Sequence, residues 1–182
     1  MTTERIASPA SIGTEGDTLT CLIAFRLDRQ LYALPLRNVE CALHMVAIAP
    51  VPEAPPWVPG VINLHGQVVP VVDLRQRFGR PGREPDLSDR LLVIQALGQT
   101  AVLWVDEVTE VLEVPSAQME PPPQPLSRSR PLAGIVRRGE ELILVLDASR
   151  LLPPEEAVET VSQDVEAGER EGTDHMDADS DS

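Results

Sequence analysis

The chain has 182 residues, the usual length of one domain. Its formal net charge is -14 and only 3% of its residues are aromatic, which argues against nucleic-acid binding, since phosphates require a basic patch and single strands require stacking surfaces. Hydrophobic residues make up 42% of the sequence and can form a sizeable core. No secretory signal and no apolar run of membrane-spanning length are present, so we expect a cytoplasmic protein without direct membrane insertion.

Both ends of the chain have the composition of segments outside a folded domain. Residues 1–17 are rich in Thr, Ser, Pro and Gly and are predicted to form a flexible arm. From Glu155 onward eleven acidic residues stand against one basic residue, Arg170, so this end carries a charge of about -10. We expect residues 154–182 to be a disordered acidic tail, which either keeps the protein soluble or attracts a basic partner. Residues 18–153 are the predicted folded domain.

In the first half of this domain, apolar runs separated by turn residues predict two β-hairpins. A polar step at Asp28 closes the first hairpin, and His65-Gly66-Gln67 closes the second. Residues 37–44 have mixed polarity and fit either a helix or an irregular turn, whereas the prolines between positions 50 and 59 exclude regular structure. The predicted strands are 19–28, 31–36, 61–64 and 68–74.

The second half repeats this plan after a polar connection, and we place the internal boundary near residues 80–90. Prolines interrupt the chain between positions 115 and 131, a hairpin follows from Gly134, and residues 149–152 fit a single helical turn. The strands predicted before the prolines are 90–97, 100–105 and 106–114, with a turn at Gly98-Gln99.

The two halves also match residue by residue. The segment GVINLHGQVVPVVDL, which begins at Gly60, aligns without a gap with GIVRRGEELILVLDA, which begins at Gly134. An upstream block matches Leu34, Leu36 and Val39 to Leu103, Val105 and Val108. Two blocks in the same order predict a duplicated β unit, and strands this apolar belong in a small closed or nearly closed barrel. We therefore expect an all-β fold that offers a surface to partners.

The residues give little support to catalysis or metal binding. None of His44, His65 and His175 has a partner at metal-ligand spacing, so we predict no metal, no cofactor and no catalytic residue. The equivalent positions Asp73 and Asp147 could form a carboxylate pair in an enzyme. The simpler interpretation is that each carboxylate caps the turn that follows its strand.

Trp57 and Trp104 are the two tryptophans of the chain, and each has two interpretations. Trp104 lies inside an apolar strand, where core packing is expected. Trp57 is flanked by prolines and could be either exposed as an interface anchor or packed.

Three long segments resemble the CheW family of bacterial chemotaxis coupling proteins. They are VPEAPPWVPGVINLHGQVVPVVDLRQRFG, LWVDEVTEVLEV and GIVRRGEELILVLDASRLL, and the resemblance extends over residues 19–152. It implies a fold of two intertwined five-stranded barrels similar to Src-homology barrels. It also implies a scaffold without enzymatic activity, which links the signalling tip of a chemoreceptor to the regulatory domain of a CheA-type histidine kinase in a membrane-associated array.

In this family the helical hairpin of the receptor lies in the groove between the two barrels. The positions of this chain that match the groove are Val39, Gly60, Asn63, His65, Gly66 and Val68. The valines would supply apolar contact and the Asn63 amide would supply hydrogen bonds. The two valines are equally consistent with core packing, and for the two glycines turn geometry is the simpler interpretation.

The chain departs from the family at two places. His65 occupies the position at which family members usually have arginine. After Val39, Glu40-Cys41 stands where they usually have arginine or glutamine followed by glutamate. Arginine is always charged, whereas histidine is shorter and changes charge near neutral pH, so receptor coupling could be weaker or pH-dependent. The alternative function is a divergent CheW-like adaptor that recruits or localises chemosensory or pilus-motility arrays.

Overall fold

The computed structural model describes residues 18–124 and 131–154. The predicted arm, and the predicted tail apart from Pro154, lie outside the described residues. The described part contains eleven strands. They are β1 Leu19–Leu27, β2 Gln30–Pro35, β3 Val39–His44, β4 Gly60–Leu64, β5 Gln67–Asp73, β6 Arg90–Ala96, β7 Gln99–Val105, β8 Glu107–Pro115, β9 Met119–Glu120, β10 Leu132–Arg138 and β11 Glu141–Leu146.

Four short helical segments connect the strands. They are the α-helical turn α1, Leu74–Arg77, and the 3-10 turns Leu36–Asn38, Ser116–Gln118 and Ala148–Arg150. The described chain is therefore almost entirely β, and the predicted all-β fold is confirmed.

The strands form two sheets, and each sheet contains strands from both halves of the chain. Sheet A has the order β8-β1-β2-β11-β10-β9, and sheet B has the order β3-β6-β7-β5-β4. Each sheet thus has the first hairpin of one half at its centre, flanked by the remaining strands of the other half. This exchange is the predicted intertwining. The sixth strand of sheet A is only the two-residue β9.

Strand register confirms the duplication. In the parallel β5–β7 pair Val71 lies opposite Val102, and in the parallel β11–β2 pair the equivalent residues Val145 and Ala33 lie opposite each other. A register shift also recurs at equivalent places, once between β3 and β6 and once between β1 and β8. Duplicated sequence therefore produces duplicated pairing, bulges included.

Three apolar clusters form the core. One is built from sheet A alone and includes Leu22 and Ile143, and another is built from sheet B alone and includes Val69 and Trp104. The third, which we call the seam, joins the two sheets with side chains from both. Its fully buried members include Phe25, Leu27, Leu34, Leu74, Leu92, Ile94, Leu103, Val105, Leu146 and Leu151. Because the seam is continuous, the two sheets bury their apolar surface against each other.

Residues 37–44 differ from both sequence interpretations. After the 3-10 turn they form β3, in which exposed Glu40, Ala42 and His44 alternate with partly buried neighbours. The bulge beside Val39 changes the cluster on which its side chain packs, and this change depends on pairing with β6, which the sequence alone does not show. The turn predicted at Gly98-Gln99 is also displaced by one residue, because Gln99 already pairs in β7.

The two equivalent aspartates are caps, as the simpler interpretation predicted. The Asp73 carboxylate accepts a hydrogen bond from the Arg75 amide at 2.8 Å, and the Asp147 carboxylate accepts one from the Ser149 amide at 3.0 Å. Both carboxylates are thus engaged at the ends of their own strands. Trp104 is buried as predicted, whereas Trp57 is partly buried against the seam, with the Arg77 guanidinium 4.8 Å above its ring.

Arginines in and after α1 join the tips of strands from both halves. The Arg75 guanidinium is buried and contacts Asp28, in the β1–β2 turn, and Asp106, which precedes β8. The Arg80 side chain pairs with Asp28 at 2.7 Å, and Arg83 pairs with Asp106 at 3.0 Å. The segment between the two halves is therefore fixed to one end of sheet A by charge-assisted hydrogen bonds.

Asp89 completes this network in a buried position. Burial disfavours its charged form, but hydrogen bonds from Arg83, the Asp86 amide and Trp104 outweigh burial and lower the pKa of the Asp89 carboxyl below its ordinary value of 3.8. A group with a lowered folded-state pKa contributes stability above its unfolded-state pKa. It loses that contribution as the pH falls through the folded-state value.

Replacing Asp89 by Asn should therefore destabilise the protein in a pH-dependent way. We expect a loss of about 2 kcal/mol at pH 7, the usual contribution of hydrogen bonds to a charged group. The loss should shrink as the pH falls below about 3.8, because the aspartate of the unfolded chain then binds a proton that the native carboxylate accepts only at lower pH. Urea unfolding between pH 7 and pH 2.5 measures this, with the exposed Glu113→Gln as control. A penalty that stays constant over the whole range would contradict the assignment.

Candidate protein-binding site

Five of the six predicted contact residues lie on the β4–β5 hairpin. In this hairpin Asn63 lies opposite Val68, and His65 and Gly66 form the two-residue turn between the strands. The hairpin is the end of sheet B, because β4 is its last strand. The sequence therefore placed most of the candidate residues on one projecting element.

The turn has the geometry of a tight type I′ hairpin. His65 and Gly66 both have positive φ values, 53° and 87°, as this turn requires. Histidine is among the few residues enriched in the left-handed region, and glycine enters it without steric cost. The Asn63 side-chain oxygen accepts a hydrogen bond from the Gly66 amide at 2.7 Å. The amide oxygen thus holds the turn, and the side-chain nitrogen has no hydrogen-bond partner among the described residues.

The face of the hairpin that carries Asn63 and Val68 is the face toward sheet A. The alternate residues Ile62 and Val69 belong to the core of sheet B, so their neighbours along the strands point to the opposite side. Asn63 is exposed and Val68 is partly buried. Their cross-strand pair is therefore accessible beside the junction of the two sheets.

Val39 lies apart from the hairpin but on the same face of sheet B. It begins β3, the opposite edge strand, and β6 and β7 lie between β3 and β5. Cys41 and Leu43 pack on the core of sheet B, whereas Val39 packs on the seam. The bulge between Val39 and Cys41 explains the change of face, because one extra residue reverses the alternation.

Gly60 differs from the other candidates because it is buried. A Cβ atom at Gly60 would lie 2.0 Å from the Ala49 carbonyl oxygen, and its φ of 155° also favours glycine. The Ala49 amide donates a hydrogen bond to the Val61 carbonyl at 2.9 Å, and the Val61 amide donates one to the Ala49 carbonyl at 2.8 Å. Because Gly60 has no Cβ atom, the proline-rich segment can pack directly on β4. The close backbone approach at Gly60 is therefore to Ala49 of the same chain.

The backbone of Asn63 adds a feature that the sequence interpretation missed. Val61 pairs outward with Ala49, so Asn63, two residues further along β4, also directs its backbone N–H and C=O away from β5. Among the described residues no strand covers this position. Pro70 is the residue in the sequence that indicated this backbone orientation. It lacks an N–H and lies opposite Val61, as expected in a cross-strand residue pair that forms no mutual hydrogen bonds.

In the part of the chain that the structure describes, no helix has the length and apolarity needed to cross a bilayer. The same residues contain no group of three His, Cys, Asp or Glu side chains that could hold a metal ion.

Comparison with known proteins agrees with this architecture. Residues 22–156 match the CheW-like domain. The chemotaxis protein CheW of Helicobacter pylori is 29% identical over 82% of this chain and 91% of its own length, and that of Rhizobium meliloti is 32% identical over 74% and 88%. The crystal structure of the scaffolding protein TtCheW from Thermoanaerobacter tengcongensis superposes with a TM-score of 0.66 at 33% identity, covering 71% of this chain and 89% of that one. The chain belongs to the CheW family.

Gly60→Ala should be far more destabilising than a glycine substitution in an open turn. Gly98 is the matched control, because its φ of 76° is also unfavourable to alanine but its Cβ would meet nothing within 4 Å. We expect about 1 kcal/mol for Gly98→Ala and at least about 3 kcal/mol for Gly60→Ala, since the second adds a backbone clash. Chemical denaturation of both variants measures the difference. Equal losses would show that Ala49 moves away without cost.

Proposed function

We propose that this protein is a cytoplasmic adaptor that couples the signalling tip of a chemoreceptor to the regulatory domain of a CheA-type histidine kinase. Membership of the CheW family and its relatives' name, chemotaxis protein, support this proposal. The observation that carries it is the β4–β5 hairpin at the end of sheet B, where exposed Asn63 and partly buried Val68 form a cross-strand pair beside the junction with sheet A. The adaptor acts beside membrane-bound receptor arrays.

The two valines are reached from different places and not across the sheet. β6 and β7 lie between β3 and β5, and their residues Leu92, Ile94 and Leu103 are fully buried in the seam. A receptor helix therefore contacts Val68 and Asn63 at the β4–β5 hairpin, and Val39 is a separate contact at the opposite edge of sheet B.

The contacts divide by chemistry. Val39 and Val68 supply apolar surface, and Asn63 supplies its side-chain nitrogen and its outward backbone groups at the rim. His65 and Gly66 form the exposed tip, where the ring of His65 can donate to a helix carbonyl or carboxylate. Gly60 supports this surface from inside. Binding of this kind transmits a signal through position alone, since it needs no bond to be made or broken.

A second candidate function rests on His65. The structure places it at the exposed turn of the hairpin, where the CheW resemblance leads us to expect arginine. A shorter side chain that forms no planar paired hydrogen bonds weakens recognition of a carboxylate. The alternative is therefore a divergent adaptor that recruits or localises chemosensory or pilus-motility arrays through other contacts.

Replacement of Val68 by Asp should weaken binding of a receptor signalling fragment by about tenfold or more, because a charge would be buried at the centre of the contact. Val111→Asp is the matched control, because Val111 is also a valine and is 53% exposed on β8, the outer strand of sheet A. Titration by calorimetry measures both, with circular dichroism to confirm folding. If folded wild-type protein binds neither the receptor fragment nor the kinase regulatory domain, the proposed function is wrong.

His65→Arg distinguishes the two candidate functions. An ordinary coupling protein should bind the receptor fragment several-fold more tightly once the guanidinium is present. The divergent adaptor should show no change. Urea unfolding of both proteins serves as the control, because an unchanged stability shows that the substitution acts on binding and not on folding.

A further inference from the structure

Strand β8 is the outer strand of sheet A, and among the described residues it pairs only with β1. A bulge at Thr109 and the proline at position 115 limit the regular part of its free edge to residues 110–114, which we call the β8 edge. A free strand edge offers unpaired N–H and C=O groups and can accept a strand from another chain. The β8 edge is therefore a candidate interaction surface.

The backbone groups of Val111 and Glu113 point away from β1. The Ser116 amide donates a hydrogen bond to the Thr18 carbonyl at 2.9 Å, so this pair bonds across the ladder. In an antiparallel ladder such pairs alternate with pairs that do not bond each other. Leu112 therefore directs its backbone to β1, and Val111 and Glu113 direct theirs outward. Their N–H and C=O groups have the spacing that an added strand requires.

The side chains along the β8 edge are apolar and acidic. Val111 is 53% exposed, Glu110 and Glu113 are exposed, and β8 contains no Arg, Lys or His. Arg138 of β10 pairs with Glu110, whereas Glu113 forms no ion pair within residues 18–124 and 131–154. A second copy of β8 would bring further glutamates and no positive charge to this edge. A strand with basic side chains is therefore the complementary occupant.

The equivalent edge of sheet B has the same backbone arrangement but different side chains. β3 is the outer strand of that sheet, and its pairing with β6 contains a bulge at the equivalent place. Ala42 and His44 correspond to Val111 and Glu113. Neither residue carries an acidic group or a bulky aliphatic side chain. A basic strand therefore distinguishes the two edges by charge, although both offer the same backbone groups.

We propose that the β8 edge binds an extended segment of another protein, which joins sheet A as a further strand. The backbone of Val111 and Glu113 supplies the main-chain hydrogen bonds. An apolar side chain of the segment packs beside Val111, and a basic side chain two residues away pairs with Glu113. A helical receptor tip bonds its own backbone groups internally, so this partner is a different one from that of the β4–β5 hairpin.

Amide hydrogen exchange followed by NMR on the full-length chain tests the added strand. The probe is a synthetic peptide of four Lys-Val units with blocked ends, at about 0.15 M salt to screen general attraction to a chain of charge -14. We expect bound peptide to slow exchange of the Val111 and Glu113 amides at least about tenfold, because both become hydrogen-bonded. The Ala42 and His44 amides should be unchanged. The same peptide methylated at every backbone nitrogen keeps its charge but should protect neither edge.

The exchange of the free protein is equally decisive. Val111 and Glu113 amides that are already protected in the monomer would overturn the proposal, because another part of the chain would then cover the edge. Protection that increases with protein concentration would overturn it as well, because a second copy would then be the occupant.

Two substitutions separate the main-chain contact from the charge contact. Val111→Pro removes one outward N–H at a place where an edge strand tolerates proline, and it should weaken peptide binding about fivefold. Glu113→Lys should weaken it about tenfold, because an attractive pair becomes a repulsive one. Glu84→Lys is the matched control, since Glu84 is exposed in the loop before β6 and the change in net charge is the same. Circular dichroism confirms folding of each variant. Equal weakening by the two lysine substitutions would overturn the proposal, because binding would then follow net charge alone.

Discussion

The exchange of hairpins between the two halves is the constraint on which the structure depends. The β1–β2 and β6–β7 hairpins occupy the centres of sheets made mostly from the other half. A central hairpin without its flanking strands would expose backbone groups on both edges, and each half alone would leave such edges open. Neither half can therefore complete a sheet by itself. The seam also makes each half depend on the other, because Leu34 and Leu103, which match in the repeat, are both buried in it.

This constraint explains how a small protein can present a fixed surface. Val39 lies on the edge strand β3 and Val68 lies on β5, next to the opposite edge strand β4, and two strands from the other half fix the distance between them. A contact surface distributed over such strands cannot change its spacing without breaking the exchange. Rigid spacing reduces the ordering entropy that binding must overcome, which suits a protein that links two partners by position.

The sequence predicted the strands that are long, apolar and bounded by turn residues, and it predicted the duplication. The repeat alone could not predict the exchange, which only the resemblance to the CheW family implied, because equal repeats are compatible with pairing inside each half as well as between them. Val39 shows the same limit locally: the bulge that turns it toward the seam depends on pairing with β6, about fifty residues away. Gly60 was assigned a turn role, whereas its close approach to Ala49 becomes visible only when the proline-rich segment is placed.

The duplication also explains why only one of the two equivalent hairpins is a candidate binding site. The β10–β11 hairpin matches β4–β5 in register, but its arginines are engaged with its own sheet: Arg137 pairs with Glu120 at 3.0 Å, and Arg138 pairs with Glu110. These pairs tie the second hairpin tip to strands β9 and β8. In the first copy, Asn63 and His65 occupy the tip, and Asn63 bonds only within its own turn among the described residues. Two copies of one backbone have thus diverged by side-chain chemistry alone, one toward internal pairing and the other toward an accessible surface.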